Sequence, residues 1–219
     1  MKLRFTNLFF AFIVITLIAG CAKPDTTPPV ITLNGINPDT LILNQNYVEP
    51  GYSAIDNKDG DITTHVNVSG IPPFNGNLIG IYLKIYSVDD AAGNIDTAVR
   101  TVIVYNQATN LSGHYSCSTN CVNTGFVTFN SEITPCDSIN YAMWISNFGA
   151  FGINEFILAN FNASNNTISF NCPQSLGGQN TLIAASGTVS GNAPHYTITI
   201  NYTWSAGGNI DNCTATYSN

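Results

Sequence analysis

Tyr196-Thr197-Ile198-Thr199-Ile200-Asn201-Tyr202-Thr203-Trp204 alternates without a break. Tyr196, Ile198, Ile200, Tyr202 and Trp204 fall on one face, and Thr197, Thr199, Asn201 and Thr203 on the other. That is the period of a strand with one buried side. Gly191-Asn192-Ala193-Pro194 supplies a turn before it, and Thr181 to Val189 a partner strand, so a hairpin is predicted. Shorter runs of the same kind recur at Gly125 to Asn130, Tyr141 to Asn147, Phe156 to Phe161, Thr167 to Phe170 and Cys213 to Tyr217. About eight strands in succession predict an up-and-down antiparallel sheet over residues 108–219, curling toward a barrel. A half-open β-sandwich is the alternative.

The preceding stretch, residues 29–106, is also strand-like. Val30-Ile31-Thr32-Leu33 ends at Asn34-Gly35, and Leu41-Ile42-Leu43 at Asn44. Gly51 to Asp56 leads into Asn57-Lys58-Asp59-Gly60-Asp61, and Ile81 to Val88 into Asp89-Asp90-Ala91-Ala92-Gly93-Asn94. Thr63 to Val68 and Thr97 to Tyr105 complete the set, with no helical period anywhere. The fold class is therefore all-β: an antiparallel β-sandwich, a boundary near Gln107-Ala108-Thr109-Asn110, then the second β domain.

Asp25-Thr26-Thr27-Pro28-Pro29-Val30-Ile31-Thr32-Leu33, Glu49-Pro50-Gly51-Tyr52-Ser53-Ala54-Ile55-Asp56, Asp59-Gly60-Asp61-Ile62-Thr63, Asp89 to Asn94 and Arg100-Thr101-Val102-Ile103-Val104 occur in order. Together they resemble the bacterial Ig-like domain named after pesticidal crystal proteins, a relative of hyalin-repeat domains. The loop Ile71 to Asn77 departs from that pattern. The resemblance implies an Ig-like sandwich acting as a spacer or adhesion module, without catalysis. In the second domain, Leu111-Ser112-Gly113-His114-Tyr115, Ser186-Gly187-Thr188-Val189 and Cys213-Thr214-Ala215-Thr216-Tyr217 resemble scattered motifs of lipocalin-like domains in bacterial lipoproteins.

The start of the chain has a different character. Lys2 and Arg4 precede an apolar run from Leu8 to Ile18, closed by Ala19-Gly20-Cys21. This is the layout of a cleaved secretory signal, and the run is short for a membrane span. Ile18-Ala19-Gly20-Cys21 resembles a bacterial lipobox. Residues 1–20 are thus expected to be a lipoprotein signal peptide, Cys21 the lipidated residue, and 21–28 a polar tether. Several acyl chains on one residue give stable anchoring. By the same resemblance, Ala22 rather than Asp after the cysteine implies the outer membrane, on its periplasmic face or at the cell surface.

Past Cys21 the chain has 4 Lys or Arg against 13 Asp or Glu, a net charge of −9, and its last Lys or Arg is Arg100. That leaves no footprint for a phosphate backbone and excludes nucleic acid as a partner. The remaining cysteines, Cys117, Cys121, Cys136, Cys172 and Cys213, all lie in the second half. Export makes disulfides the default, and five is odd, so one thiol is expected to be left over or to pair between chains.

Two loops of the first domain are acidic. Strand direction alternates, so the turns after Asp56 and Asp89 are expected at one end of the sandwich. That would gather Asp56, Asp59, Asp61, Asp89, Asp90 and Asn94, hard oxygen ligands suited to calcium. Turn chemistry alone is the other account, with Arg100 or Lys58 neutralising part of the charge. Tyr141, Trp144, Phe148, Phe151, Phe156 and Trp204 are candidates either for the core or for a sugar-stacking surface. His65, His114 and His195 are isolated, and there is no Gly-x-Ser-x-Gly, His-Glu-x-x-His or P-loop motif. Glu132 and Glu155 are a conceivable carboxylate pair whose spacing says nothing. The expectation is a non-catalytic, lipid-anchored envelope or cell-surface protein whose partners are the membrane, through its anchor, and a glycan or another surface protein. The alternative is a carbohydrate-binding accessory of a glycan-uptake system.

Overall fold

The structure, a computed structural model, describes residues 23–219; the expected signal peptide and Cys21 lie outside the described residues. Among those residues there are sixteen strands and no α-helix. They are β1 (Val30–Leu33), β2 (Asp39–Ile42), β3 (Tyr52–Asp56), β4 (Gly60–Asp61), β5 (Asn67–Ile71), β6 (Gly80–Asp89), β7 (Ile95–Tyr105), β8 (Gly113–Cys121), β9 (Gly125–Pro135), β10 (Ala142–Ser146), β11 (Phe156–Asn162), β12 (Thr167–Phe170), β13 (Gln174–Ser175), β14 (Asn180–Asn192), β15 (His195–Ala206) and β16 (Asn209–Ser218). The chain is all-β: Ig-like sheets followed by an eight-stranded antiparallel barrel.

By packing, the chain forms two compact units. Of the described residues, the first contains 23–34, Gly51–Val68 and Ile85–Ala98. Its sheet has the order β1-β3-β4, with Val30 opposite Ile55 and Leu33 opposite Tyr52. Ala54, Ile62 and Val88 form its core, with Ile31 and Val66 packed against them. Thr63 closes the turn after β4: its hydroxyl accepts from the Ala54 N–H at 2.9 Å.

The second unit contains Gly35–Pro50, Ser69–Lys84 and Val99–Asn219. Leu41, Leu43, Tyr82, Val102 and Val104 form one of its cores, at the sheet ordered β2-β7-β6-β5. There β2 pairs with β7 in parallel, Thr40 opposite Ile103. Such pairing requires a long crossover, which the intervening strands supply and a hairpin cannot. Arg100 is completely buried here, its Nε 3.1 Å from Oε1 of Glu49 and its guanidinium donating to the Ile36 carbonyl at 3.0 Å. Lys84 also pairs with Glu49 and lies over the Tyr47 ring, 4.8 Å from its centre.

The barrel closes in the order β8-β9-β10-β11-β12-β14-β15-β16, with β16 returning to β8; β13 is a short addition on β14. Of the two expected alternatives, the barrel is the one formed. The β14–β15 hairpin pairs Asn192 with His195 and Val189 with Ile198. Along β15 the alternation holds: Ile198, Ile200 and Tyr202 are buried, while Asn201 is exposed. At Gly187 the strand passes so close that an added Cβ would lie 2.9 Å from the Thr199 carbonyl oxygen. The interior is filled by Tyr115, Ile133, Ile145, Phe148, Ile157 and Tyr217 among others, all essentially without exposure. An apolar interior and a Thr- and Asn-rich exterior are the reverse of a membrane-spanning barrel.

Asn106, ahead of the barrel, is fully buried. Its amide donates to the carbonyls of Cys136 and Ala142, at 2.8 and 2.9 Å, and its Oδ1 accepts from the N–H groups of Ala108 and Tyr141. One short side chain thus satisfies backbone groups in two loops.

Candidate functional site

The turns after β3 and β6 owe their shape to two buried aspartates. Oδ1 of Asp56 accepts from the N–H groups of Lys58 and Asp59, both at 2.8 Å. Oδ1 of Asp90 accepts from Ala92 and Asn94, and its Oδ2 from the Asn94 amide at 2.7 Å. Backbone donors hold the Asp56 carboxyl below its ordinary range, against burial and the nearby charge of Asp90. Burial pushes Asp90 upward, but the Asn94 amide and the surrounding N–H groups outweigh it, so Asp90 too is held low. Both are ionised at neutral pH.

These two aspartates meet a third. One carboxylate oxygen from each of Asp25, Asp56 and Asp90 lies within 4.8 Å of the other two. Asp56 and Asp90 are buried, with 4% and 6% exposed, and Asp25 is half-buried with its side chain 9% exposed. Oδ2 of Asp56 is buried and has no hydrogen-bond donor. Lys58 places its ammonium 3.7 Å from Oδ2 of Asp25 and donates to the Lys23 carbonyl.

Of the six residues expected as calcium ligands, the structure brings Asp56 and Asp90 together. Asp59 also reaches the second turn, where its Oδ2 accepts from the Ala91 N–H, whereas Asp61 caps the Thr63 N–H at 2.9 Å. Asp89 is exposed at the end of β6. Asn94 turns its amide N–H, not its oxygen, toward Asp90. Asp25 was missed because Pro24 and Thr26-Thr27-Pro28 around it read as a solvated tether. Of the two expected neutralising cations, Lys58 lies at the cluster, whereas Arg100 is committed to Glu49.

The aromatic candidates divide. Phe148 is in the core, and Phe151 packs edge-on against half-buried Trp204 with centroids 4.8 Å apart. Trp144 and Phe156 remain 37% and 54% exposed on the outer faces of neighbouring β10 and β11, where Trp144 pairs with Leu158 and Ser146 with Phe156. Glu132 pairs across the strands with His114, in an open surface depression of about 630 Å³. Glu155 lies instead against Gly177 and does not line that depression. His65 and His195 are exposed on separate turns.

Among the cysteines, Cys121 and Cys213 form a disulfide between directly opposed residues of β8 and β16, with Cα atoms 4.0 Å apart. Being joined, they are not thiolate ligands, although Asp211 lies beside them. Among the described residues three thiols remain, Cys117, Cys136 and Cys172, where one was expected to be left over or to pair between chains. Cys117 faces the barrel core opposite Tyr217 and Phe129, with no cysteine across from it, and burial pushes its thiol up to about 12.

Residues 31–104 match the family model of the bacterial surface protein Ig-like domain. The matched stretch includes β3, β6 and the two turns that follow them, with Asp56 and Asp90, while Asp25 precedes it. No curated protein matches the chain. Among solved structures, the chain is similar to a lipoprotein from Bacteroides thetaiotaomicron, with 22% identity and a TM-score of 0.36 over 86% of this chain and 98% of that one. It is similar to a candidate outer membrane protein from Bacteroides fragilis, with 13% identity and a TM-score of 0.35 over 87% and 94%. It is also similar to CBM51-2 in complex with GlcNAc and the INT domains of Clostridium perfringens ZmpB, with 21% identity and a TM-score of 0.30 over 79% of this chain and 29% of that one.

Proposed function

We propose that the protein is a non-catalytic lipoprotein of the bacterial envelope, anchored at Cys21 in the outer membrane, in which the surface Ig-like domain is a spacer that presents the barrel. The Ig-like domain is taken to be of the pesticidal-crystal-protein type, on the motifs around Glu49–Asp56 and Asp89–Asn94. The observation that supports this reading best is the barrel interior. Side chains such as Tyr115, Phe148 and Tyr217 fill it, so the barrel offers its outer surface rather than a ligand chamber. The scattering of His65, His114 and His195 is consistent with a role without catalysis.

Exposed Trp144 and Phe156 support a second reading, a glycan-binding accessory that stacks sugar rings on the outer face of β10 and β11. Protease treatment of intact cells, with a Cys21→Ser variant alongside, tests the anchor. The protein should be membrane-associated and palmitate-labelled, and Cys21→Ser should release it in soluble form. Retention of an unlabelled variant in the membrane would count against the anchor. A glycan array probed with the full chain separates the two readings: binding that Trp144→Ala abolishes would establish the second and displace the first.

A further inference from the structure

We propose that Asp25, Asp56 and Asp90 bind a calcium ion that clasps the segment before β1 to the turns after β3 and β6. Three converging carboxylates, two of them on buried residues, are costly to assemble unless a cation joins them. Lys58 supplies one positive charge, but it touches Asp25 from the side, and about half of its side chain is exposed. Two negative charges are left over. The second observation is Oδ2 of Asp56, buried without a donor although its partner oxygen accepts two backbone N–H groups. Backbone donors occupy the other oxygen of this carboxylate, and Asp56 is one of the three residues whose carboxylates converge.

The ligand atoms are hard oxygens, which select calcium or magnesium over zinc or copper. Calcium takes about six to eight oxygens in a flexible shell, which suits three loop-borne carboxylates that each bring an oxygen within 4.8 Å of the other two. Magnesium at about 2.1 Å demands a tighter cage. Water fills the rest of the shell, and Lys58 swings outward as the ion enters. The segment would then be held by more than its present contacts, the Thr27 N–H on Oδ1 of Asp25 at 3.1 Å and the longer donations from the Asn94 amide. The site is independent of whether Cys21 is acylated.

The test uses the full chain in detergent, stripped with EDTA and titrated with calcium chloride by calorimetry, with magnesium chloride in parallel. One calcium per chain is expected. The Tm should rise by roughly 5 °C at calcium a hundredfold above Kd. Amide exchange at residues 25–31 should slow on calcium addition. Asp25→Asn lies outside every strand and keeps the fold, yet should weaken binding at least tenfold and abolish the slowed exchange. Lys58→Met, which removes the competing ammonium, should tighten binding, and Asp89→Asn should leave it unchanged. Absence of heat and of any Tm shift at about 10 mM calcium, well above the range typical of extracellular modules, would overturn the proposal. So would binding that survives Asp25→Asn; this holds even if Asp56→Asn does not fold.

Discussion

Nε of Arg100, without any exposure, lies 3.1 Å from Oε1 of Glu49. The guanidinium is enclosed by protein, so its charge has only fixed partners to meet it. Removing Glu49 leaves the guanidinium charged and enclosed, at a cost of about 3–5 kcal/mol for a broken buried pair, whereas removing Arg100 leaves a Glu49 that is partly exposed and still paired with Lys84. Glu49→Leu should therefore lower the unfolding free energy in urea by that amount, and Arg100→Met by less. The double variant Arg100→Met with Glu49→Leu should recover part of the loss, because an apolar pair of similar size needs no compensation.

Asn106 bridges two loops with hydrogen bonds to groups that water does not reach. Asn106→Leu keeps the volume and removes every bond, taking the donor from the Cys136 carbonyl and the acceptor from the Ala108 N–H, while the Ala142 carbonyl keeps the Cys136 N–H. Each buried group so stranded costs about 1–3 kcal/mol. Denaturant unfolding should show a loss of at least about 2 kcal/mol.

The disulfide Cys121–Cys213 closes a loop with a sequence separation of 92 residues. Chain-entropy arguments give such a bridge roughly 4–5 kcal/mol. Reduction, or the double variant Cys121→Ser with Cys213→Ser, should lower the Tm substantially. The barrel should still form, because the β8–β16 register has six paired positions, Cys121↔Cys213 to Ser116↔Ser218, and the bridge occupies one.

Cys117 is buried and its thiol is pushed up to about 12, so at pH 8 it is neutral and enclosed. Alkylation of the native protein should modify Cys172, which is partly exposed, before Cys117. Urea should equalise the two. Mass spectrometry of peptides after brief iodoacetamide treatment measures the order.

Asp211 accepts four hydrogen bonds, from the Asn123, Thr124 and Asn212 N–H groups and the Thr124 hydroxyl. Burial pushes its carboxyl up, but these donors outweigh that and hold it below the ordinary value. A folded-state value below the unfolded one means its stabilisation is complete above the unfolded pKa, about 3.9, and is lost as pH falls through the folded value. Asp211→Asn should therefore lower stability at pH 7 and flatten its decline below about pH 4, as followed by circular dichroism.

The alternation in β15 and the Gly191–Pro194 turn were legible because apolar and polar residues separated cleanly. β8 was not. Its inward residues after Tyr115 are Cys117, Thr119 and Cys121, which read as sulfur chemistry and polarity rather than as a buried face. Thr119 is tolerated inside because its hydroxyl meets that of Tyr202 at 2.7 Å. The candidate site was half legible for a related reason. Asp56 and Asp90 follow from strand direction, whereas Asp25 depends on how a segment outside the strands folds back, which no period encodes. The parallel β2–β7 pair likewise depends on distant chain and leaves no local trace.

The seam between β8 and β16 joins the first strand of the barrel to its last. Any load entering from the N-terminal side arrives at Gly113 and strips β8 from β16 one residue pair at a time, the weak direction for a sheet. Cys121 stands at the far end of that strand, joined to Cys213. Unzipping along this edge therefore ends at a covalent stop, and a stretched chain retains its final strand.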